Sequence, residues 1–207
     1  MDNLHEAVKK NKCLIYSFGL ADDWDFELGR SFKIRLSRTI LINSATYLGM
    51  AKIGCVVRAF DPNVEIPKKY ADTKNLHFQK IGLSNKVGKL KNGAPDGSIR
   101  NMPVVNLKGA MEIFGDQDKE ITYLKLDVEG AEFLALPEMV KSGVFKQIRQ
   151  MGIEMHTGSR NLHNPKVIQK HLNSSLMVFK ELQETYGFRL IAYNANGCMG
   201  KFCNYLT

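Results

Sequence analysis

Short runs of apolar residues alternate with longer amphipathic segments along most of this 207-residue chain. The short runs are rich in β-branched and aromatic side chains, a composition typical of buried strands. They are CLIYSF (13–18), CVVRAF (55–60), LHFQKIGL (76–83), ITYLKLDV (121–128), QMGIEM (150–155) and FRLIAY (188–193). We therefore expect a strand in each of these runs.

Three of the longer segments, 107–115, 131–143 and 165–187, have the period of an α-helix. In the last of them, Pro165 suits a first helical position and Gly187 suits a helix stop. The apolar residues of this segment form one stripe, which we expect to pack on the core. The stripe consists of Ile168, Leu172, Leu176, Phe179, Leu182 and Tyr186.

Strands that alternate with helices predict an α/β protein with a doubly wound, mostly parallel sheet. We expect residues 1–207 to form one domain of this class. A mobile loop is predicted at 84–100, where Gly, Asn, Lys and Pro are frequent and no period is visible. In such folds, ligands bind beyond the carboxyl ends of the strands, near the point where the strand order reverses. Functional side chains should therefore follow the strands directly.

The formal net charge of +8 raises the question of a nucleic-acid or anionic membrane partner. Four basic side chains fall in LGRSFKIRLSRTILINSATYLG, residues 28–49, which contain no acid. Half of the excess positive charge thus belongs to one segment, and the rest of the chain has a net charge of only +4. The sequence therefore argues against a nucleic-acid partner. The sequence has no run suited to spanning a membrane and no recognisable export signal, so the compartment stays open with the cytoplasm as the default.

The four cysteines, Cys13, Cys55, Cys198 and Cys203, do not have the spacing of a zinc site. In a reducing compartment we expect free thiols. Cys13 and Cys55 begin two predicted strands that could be neighbours. A disulfide between them therefore stays open for an oxidising compartment.

Two residues at strand ends suggest a cofactor that contains a nucleoside. The first strand runs into Gly19, where a tight turn would let backbone amides approach a ligand, and a later strand ends at Asp61, an acid placed to bind ribose hydroxyls. They are 42 residues apart, against about 20 in dinucleotide-binding folds. The excess of 22 equals the length of residues 28–49. That segment is either a true insertion or part of an ordinary, longer crossover.

The stretch YLKLDVEGAE, residues 123–132, concentrates carboxylates at the end of a predicted central strand. Strand alternation lets Asp127 reach the crevice, and Gly130 then begins a helix. Glu132 suits the first turn of that helix, where the helix dipole stabilises an acid. Asp127 and Glu129 are the better candidates for contact with a positively charged cofactor group or for acid–base chemistry.

Four segments, CLIYSFGLADDWDFE, AFDP, IGLSN and LKLDVEGAEFLALPEM, occur in an order that resembles a known family. They resemble the FkbM-type S-adenosylmethionine-dependent methyltransferases, in particular an animal branch of them, over about residues 13–193. The resemblance implies a seven-stranded, Rossmann-like class I methyltransferase sheet and S-adenosylmethionine as the cofactor. Against that family, residues 28–49 are an insertion beside the cofactor turn. The chain also ends early enough to truncate the last strand, as a fragment would.

The resemblance implies roles for individual residues around the cofactor. Phe18 and Gly19 would lie beside its methionine part, and Asp61 would bind its ribose. Leu83 would lie near its adenine and Asp127 near its reacting end.

The same resemblance places His156, in IEMH at 153–156, at the exit of the fifth strand. There it could act as the general base for a hydroxyl acceptor, with Glu129 as the second catalytic candidate. The acceptor could be a small molecule, a glycan or a lipid. A metal at Asp127, Glu129 and His156 is conceivable, but no spacing motif demands one and none is predicted.

Two other functions stay open. A non-catalytic or truncated relative would keep the fold as a binding module. A nicotinamide-dependent oxidoreductase would share the fold and the use of Asp61, but it needs a glycine-rich first turn that GLADDW does not supply. The sequence does not indicate the oligomeric state.

Overall fold

The computed structural model describes residues 7–10, 12–20, 34–37, 47–52, 54–93, 99–156 and 165–192. Within them the strands are β1 (Leu14–Phe18), β2 (Ile34–Ser37), β3 (Val56–Phe60), β4 (Leu76–Gln79), β5 (Gly82–Leu83), β6 (Gly88–Gly93), β7 (Ile99–Val105), β8 (Tyr123–Leu126), β9 (Gln150–Ile153) and β10 (Arg189–Ala192). The helices are α1 (Tyr47–Lys52), α2 (Lys68–Ala71), α3 (Leu107–Ile113), α4 (Glu132–Ser142) and α5 (Pro165–Glu184). A strand lies in each predicted run and a helix in each predicted helical segment.

Seven of these strands form one sheet, in the order β10-β2-β9-β8-β1-β3-β4. The five strands from β9 to β4 are parallel to their neighbours. Strand β2 is antiparallel to both β9 and β10, so six strands run one way and β2 runs the other. The predicted α/β class, with a doubly wound and mostly parallel sheet, is confirmed.

The chain order reverses between β1 and β8. From β1 the chain moves outward through β3 to β4, and it later returns to the other side of β1 to form β8 and then β9. In doubly wound folds such a reversal leaves a crevice beyond the carboxyl ends of the two central strands. The crevice therefore lies where Phe18 ends β1 and Leu126 ends β8.

Side chains of β1 alternate between two hydrophobic clusters. Leu14, Tyr16 and Phe18 belong to one cluster, and Ile15 belongs to the other, as expected when successive side chains point to opposite faces of a sheet. All five residues of the strand are buried. A strand covered on both faces holds the residues that follow it in fixed positions.

The loop predicted at 84–100 is wrong in part, because strands lie there. β6 pairs antiparallel with β7, beginning with Gly88 opposite Val104, and β5 pairs parallel with β7. These three strands form a separate small sheet, so the run predicted as one strand at 76–83 is divided between two sheets. The polar, glycine-containing residues of β6 show no hydrophobic period, which is why the pattern did not reveal the hairpin. Positions 94–98 lie outside the described residues.

The predicted stripe of α5 is confirmed in part, because Phe179, Leu182 and Tyr186 pack on the core. Leu172 and Leu176 are 40% and 67% exposed, whereas Ser175 and Val178 are buried. The helix packs against α4, and this neighbour selects the face that turns inward. No helix in the described ranges, α5 included, combines the length and the apolar character needed to cross a membrane.

Part of the segment 28–49 belongs to the main sheet. Ile34–Ser37 form β2, between β9 and β10, and the segment ends within α1. Residues 28–33 and 38–46 lie outside the described part of the chain, as do those after 192, where truncation of the last strand was predicted. Whether or not 28–49 is an insertion, it supplies one strand of the sheet.

Cys13 and Cys55 form a disulfide, with their Cα atoms 4.6 Å apart. The parallel register pairs Leu14 of β1 with Val56 of β3, so the residues just before them lie side by side. Of the two alternatives that the sequence left open, free thiols are wrong for this pair. The other two cysteines lie outside the described residues.

Candidate active site

Three strands end next to one another and bring predicted cofactor residues to one edge of the sheet. The last residues of β1, β3 and β8 are in register. Gly19, Asp61 and Asp127 follow these strands directly and therefore lie side by side at the carboxyl edge. Backbone hydrogen bonds continue past the strand ends, with Gly19 N donating to the carbonyl of Phe60 at 2.9 Å and Asp127 N to that of Phe18 at 3.0 Å.

The turn after β1 requires glycine. Gly19 has a φ of +82°, in the left-handed region. A Cβ at this position would lie 1.5 Å from the backbone oxygen of Asp127. The turn therefore brings bare backbone against the end of β8, and any other residue would have to move one of the two segments.

Asp61 links the glycine turn to the end of β3. Its side chain is almost fully buried, and its Oδ2 accepts a hydrogen bond of 2.8 Å from the backbone N of Leu20. Its Oδ1 accepts another of 2.8 Å from the backbone N of Asn63. The carboxylate is thus held in one orientation by two segments of the chain.

A cavity of about 250 Å³ opens at this edge of the sheet. Four of the five predicted cofactor residues line it, and so does one predicted catalytic residue: Gly19, Asp61, Leu83, Asp127 and Glu129. The hairpin that the sequence did not reveal adds Leu90, Lys91 and Met102 to the wall. The small sheet is therefore part of the site.

Phe18 is the predicted cofactor residue that does not line this cavity. Its side chain is buried, and its ring stacks on that of Phe60 with the centroids 4.6 Å apart. It supports the glycine turn from the core, and a contact with a cofactor stays a prediction.

The two predicted catalytic residues lie beside Asp127. His156 Nε2 is 3.6 Å from Asp127 Oδ1 and 3.7 Å from Glu129 Oε1. Glu129 and Gly130 form a turn with φ of +52° and +100°, so the following helix begins at Glu132 and not at Gly130. The left-handed turn presents the carboxylate of Glu129 at the surface, where it is 84% exposed.

Glu132 has a contact that the sequence did not predict. It does lie in the first turn of α4, as expected, but it is fully buried. Its Oε1 contacts Nδ1 of His156 and accepts a 3.1 Å hydrogen bond from the backbone N of the same residue. No sequence signal connects two residues that are 24 positions apart.

The carboxylates around His156 govern its protonation. Burial of the imidazole lowers its pKa, but Glu132 outweighs this effect, and Glu129 and Asp127 add to it, so the pKa rises to about 9. In this arrangement the imidazole carries a proton at neutral pH. An imidazole must be neutral to accept a proton as a general base. His156 would therefore have to lose the proton that it carries before it could act as one.

Lys125 is a second residue that sequence reasoning missed. It is buried, and its Nζ donates to the carbonyl of Gly19 at 2.7 Å and lies 3.1 Å from Asp127 Oδ2. Residues two apart on a strand share a face, so the position of Lys125 before Asp127 was a usable signal. The lysine joins the glycine turn to the acid and leaves Asp127 Oδ1 facing His156.

A larger cavity, of about 670 Å³, lies at the opposite edge of the sheet, around the disulfide. At least three of its five cationic side chains form ion pairs with acids. Arg58 and Lys119 both contact Asp116, and Arg149 contacts Glu120. None of the predicted site residues lines this cavity.

The seven-stranded sheet, with a glycine turn and acids at its switch point, defines a Rossmann-like protein of the methyltransferase class. Residues 2–196 match the methyltransferase domain family, and the chain belongs to that family. This match concerns the methyltransferase domain, and the FkbM type stays a prediction.

Probable methyltransferase-like protein 24 of Homo sapiens is similar to this chain. The two are 26% identical over 196 residues, which cover 91% of this chain and 44% of the human protein. The chain thus spans less than half the length of that relative. No solved structure gives a significant match.

Proposed function

We propose that this chain is an S-adenosylmethionine-dependent methyltransferase of the FkbM type that methylates a hydroxyl oxygen. The observation that carries the proposal is the convergence of Gly19, Asp61, Leu83 and Asp127 on one cavity at the switch point of the sheet. Membership of the methyltransferase domain family supports the reaction class. Doubly wound folds characteristically bind nucleotide-containing ligands at this place.

The residues that line the cavity suit the parts of this cofactor. Gly19 leaves backbone accessible, and Asp61 is an acid directly after a central strand, the position from which such folds bind ribose hydroxyls. Leu83 offers an apolar wall for adenine, and Asp127 places negative charge at the cationic end. When bound, S-adenosylmethionine supplies a methyl group on a positively charged sulfur, which keeps the electron pair of the carbon–sulfur bond as the acceptor oxygen takes the methyl carbon.

The acceptor hydroxyl must lose a proton as its oxygen is methylated. We propose that Glu129 and His156 together remove this proton. Glu129 is exposed and lines the cavity, so its carboxylate can meet an incoming hydroxyl. His156 Nε2 faces two carboxylates, so it would act by positioning Glu129. In this proposal Glu129, and not His156 as expected from the sequence, accepts the proton.

The acceptor that we propose is a small molecule, a glycan or a lipid that carries a free hydroxyl group. The cavity is bordered by the β6–β7 hairpin, whose Lys91 and Met102 offer one cationic and one apolar contact. A nucleic-acid acceptor is not expected, because half of the excess positive charge lies in residues 28–49.

Calorimetric titration of the full chain with S-adenosylmethionine tests the cofactor. We expect a Kd in the micromolar range, roughly −8 kcal/mol of binding free energy. Asp61→Ala should weaken binding at least about tenfold, because a ribose acceptor and the anchor of the turn are lost together. Asp72→Ala, which removes an exposed acid outside the cavity, is the matched control and should bind as the wild type does.

Circular dichroism of Asp61→Ala separates lost binding from lost folding. Parallel titrations with S-adenosylhomocysteine and NADH distinguish a methyltransferase from an oxidoreductase. If the folded wild type binds neither S-adenosyl compound, the proposal is overturned. Binding without methyl transfer to any hydroxyl acceptor in a screen would support the non-catalytic relative instead.

A further inference from the structure

We propose that Asp127, Glu129 and His156 form a binding site for a divalent metal ion. One ligand atom from each side chain lies within 4.8 Å of the other two. The distances from His156 Nε2 to Asp127 Oδ1 and to Glu129 Oε1 are 3.6 and 3.7 Å, longer than hydrogen bonds. Two donor atoms from the segment after β8 and one from the segment after β9 thus lie near one another without hydrogen bonds between His156 and the two acids.

These separations are close to those that a bound ion imposes. Bonds of about 2.1 Å in tetrahedral or octahedral geometry place neighbouring ligand atoms about 3.0–3.5 Å apart. The two distances from His156 Nε2 would therefore need to shorten by only a few tenths of an ångström, and the third separation lies within 4.8 Å. Glu129 has the freedom to make such a shift, because its side chain is 84% exposed.

The buried side of His156 gives an independent indication. Its Nδ1 contacts Oε1 of Glu132, a carboxylate that is 0% exposed. Metal-binding histidines characteristically donate one ring N–H to such a carboxylate, which turns the other nitrogen towards the metal. Oε2 of Glu132 is also buried and has no hydrogen-bond partner among the described residues, so the hydrogen bonds of this carboxylate go through Oε1 to His156.

The charges on the open side agree with this assignment. Asp127, Glu129 and Glu132 bring three carboxylates to the imidazole. Lys125 binds Asp127 through Oδ2, at 3.1 Å, and so leaves Oδ1 for another cation. A divalent ion would balance the remaining negative charge in a single position.

Two carboxylate oxygens and one imidazole nitrogen are a mixed donor set that suits Mn²⁺, Fe²⁺ or Zn²⁺. Three protein ligands leave coordination positions open, which is the pattern of catalytic and not of structural sites. The open position would take the acceptor hydroxyl and lower its pKa, and the carboxylate oxygen of Glu129 that does not bind the ion would accept the proton. This catalytic role rests on the proposed function, whereas binding of the ion does not.

The site can be tested by titrating the full chain with Mn²⁺ after treatment with a chelator. Binding is measured by calorimetry and by electron paramagnetic resonance of the free ion. We expect one ion per chain, with Glu129→Gln and Asp127→Asn each weakening binding roughly 10–100-fold. Glu154→Gln is the matched control inside the cluster, because its carboxylate is 4.0 Å from His156 Nε2 but outside the donor set. Glu112→Gln, on an exposed face of α3, is the control outside it.

Both controls should stay within about threefold of the wild type, a difference of less than 1 kcal/mol. No binding to the wild type, or the same affinity in Glu129→Gln and Asp127→Asn, would overturn the inference. An equal loss of Mn²⁺ affinity in Glu154→Gln would also overturn the inference. It would show that the ion responds to the total negative charge near His156 and not to three specific ligands. Thermal unfolding with and without Mn²⁺ confirms that each variant is folded.

Titration of the same preparations with S-adenosylmethionine separates this inference from the proposed function. Mn²⁺ binding without cofactor binding would retain the metal site and overturn the methyltransferase. Cofactor binding without Mn²⁺ binding would retain the methyltransferase and overturn the metal site.

Discussion

The two edges of the main sheet carry ionisable groups in opposite ways. At the amino edge, Asp116 is fully buried and surrounded by donors, with Tyr16 Oη at 2.9 Å, Arg58 Nε at 3.0 Å and Lys119 Nζ at 2.6 Å. At the carboxyl edge, three carboxylates surround the single imidazole of His156. At the amino edge, called the balanced edge below, the buried acid has two cationic partners. At the carboxyl edge, three carboxylates share one imidazole, and Lys125 contacts one of them, Asp127.

The two edges also differ in the size of the cavity that each carries. The larger cavity, about 670 Å³, lies at the balanced edge, where the acid already has its partners. The smaller one, about 250 Å³, lies where the strand order reverses and where acids face each other. Among the described residues, the second edge is the one that brings predicted cofactor residues and acids to a single cavity.

Removing the charge at the balanced edge should have the largest effect on stability. Asp116→Asn leaves Arg58 and Lys119 without their buried partner, which costs roughly 3–5 kcal/mol. Urea unfolding followed by circular dichroism measures it. Asp118→Asn, on an exposed neighbour that lines the same cavity, should change stability by less than about 0.5 kcal/mol. Equal effects of the two substitutions would show that Asp116 is not the anchor of this edge.

The disulfide at the same edge should contribute next. Cys13→Ala combined with Cys55→Ala opens a link across 42 residues and should cost roughly 2–4 kcal/mol. Dithiothreitol should lower the urea midpoint of the wild type and leave that of the double variant unchanged. Affinity for S-adenosylmethionine should stay the same, because the link lies at the opposite edge from the cofactor residues. A reductant-insensitive wild type would contradict the bond.

The balanced edge should also weaken in acid. Burial raises the pKa of Asp116, but its bonds to Arg58, Lys119 and Tyr16 prevail and hold that pKa below its ordinary value of 3.8. The unfolded chain therefore takes up this proton first as the pH falls. The stabilisation is complete above the ordinary value and is lost as the pH drops through the lowered one. Unfolding midpoints between pH 6 and pH 2 should converge for the wild type and Asp116→Asn, and a constant gap would contradict this.

Neutralising an acid at the carboxyl edge should have the smallest effect on the free energy of unfolding. Glu129→Gln removes one of three carboxylates near His156 from an exposed position, so unfolding in urea should change by less than about 0.5 kcal/mol. A loss comparable to that of Asp116→Asn would show that both edges are balanced in the same way, and the comparison would fail.

Much of the fold could be predicted from local patterns. Runs such as CLIYSF and CVVRAF are hydrophobic because both faces of a central strand are covered, and this leaves a signal in every residue. The β6–β7 hairpin left no such signal, since its pairing runs through the backbone of polar residues. In α5 the period was correct and the second half of the stripe packs inward, but Leu172 and Leu176 are exposed, because the contact with α4 selects the inward face.

The candidate site divides in the same manner. Gly19, Asp61 and Asp127 could be predicted because each follows a strand whose end is visible in the sequence, and parallel strands bring their ends to one edge. The contact between Glu132 and His156 could not, since it joins the start of a helix to the segment after β9.

The sequence by itself determined the α/β class, the strand ends and the residue types that follow them, because periodicity and turn chemistry are local properties of the chain. Only the tertiary structure decided which ionisable side chains contact one another, which cysteines are bonded and which strand joins the sheet between β9 and β10. These depend on distances between segments far apart in sequence, and those distances are set by how the strands pair and the helices pack.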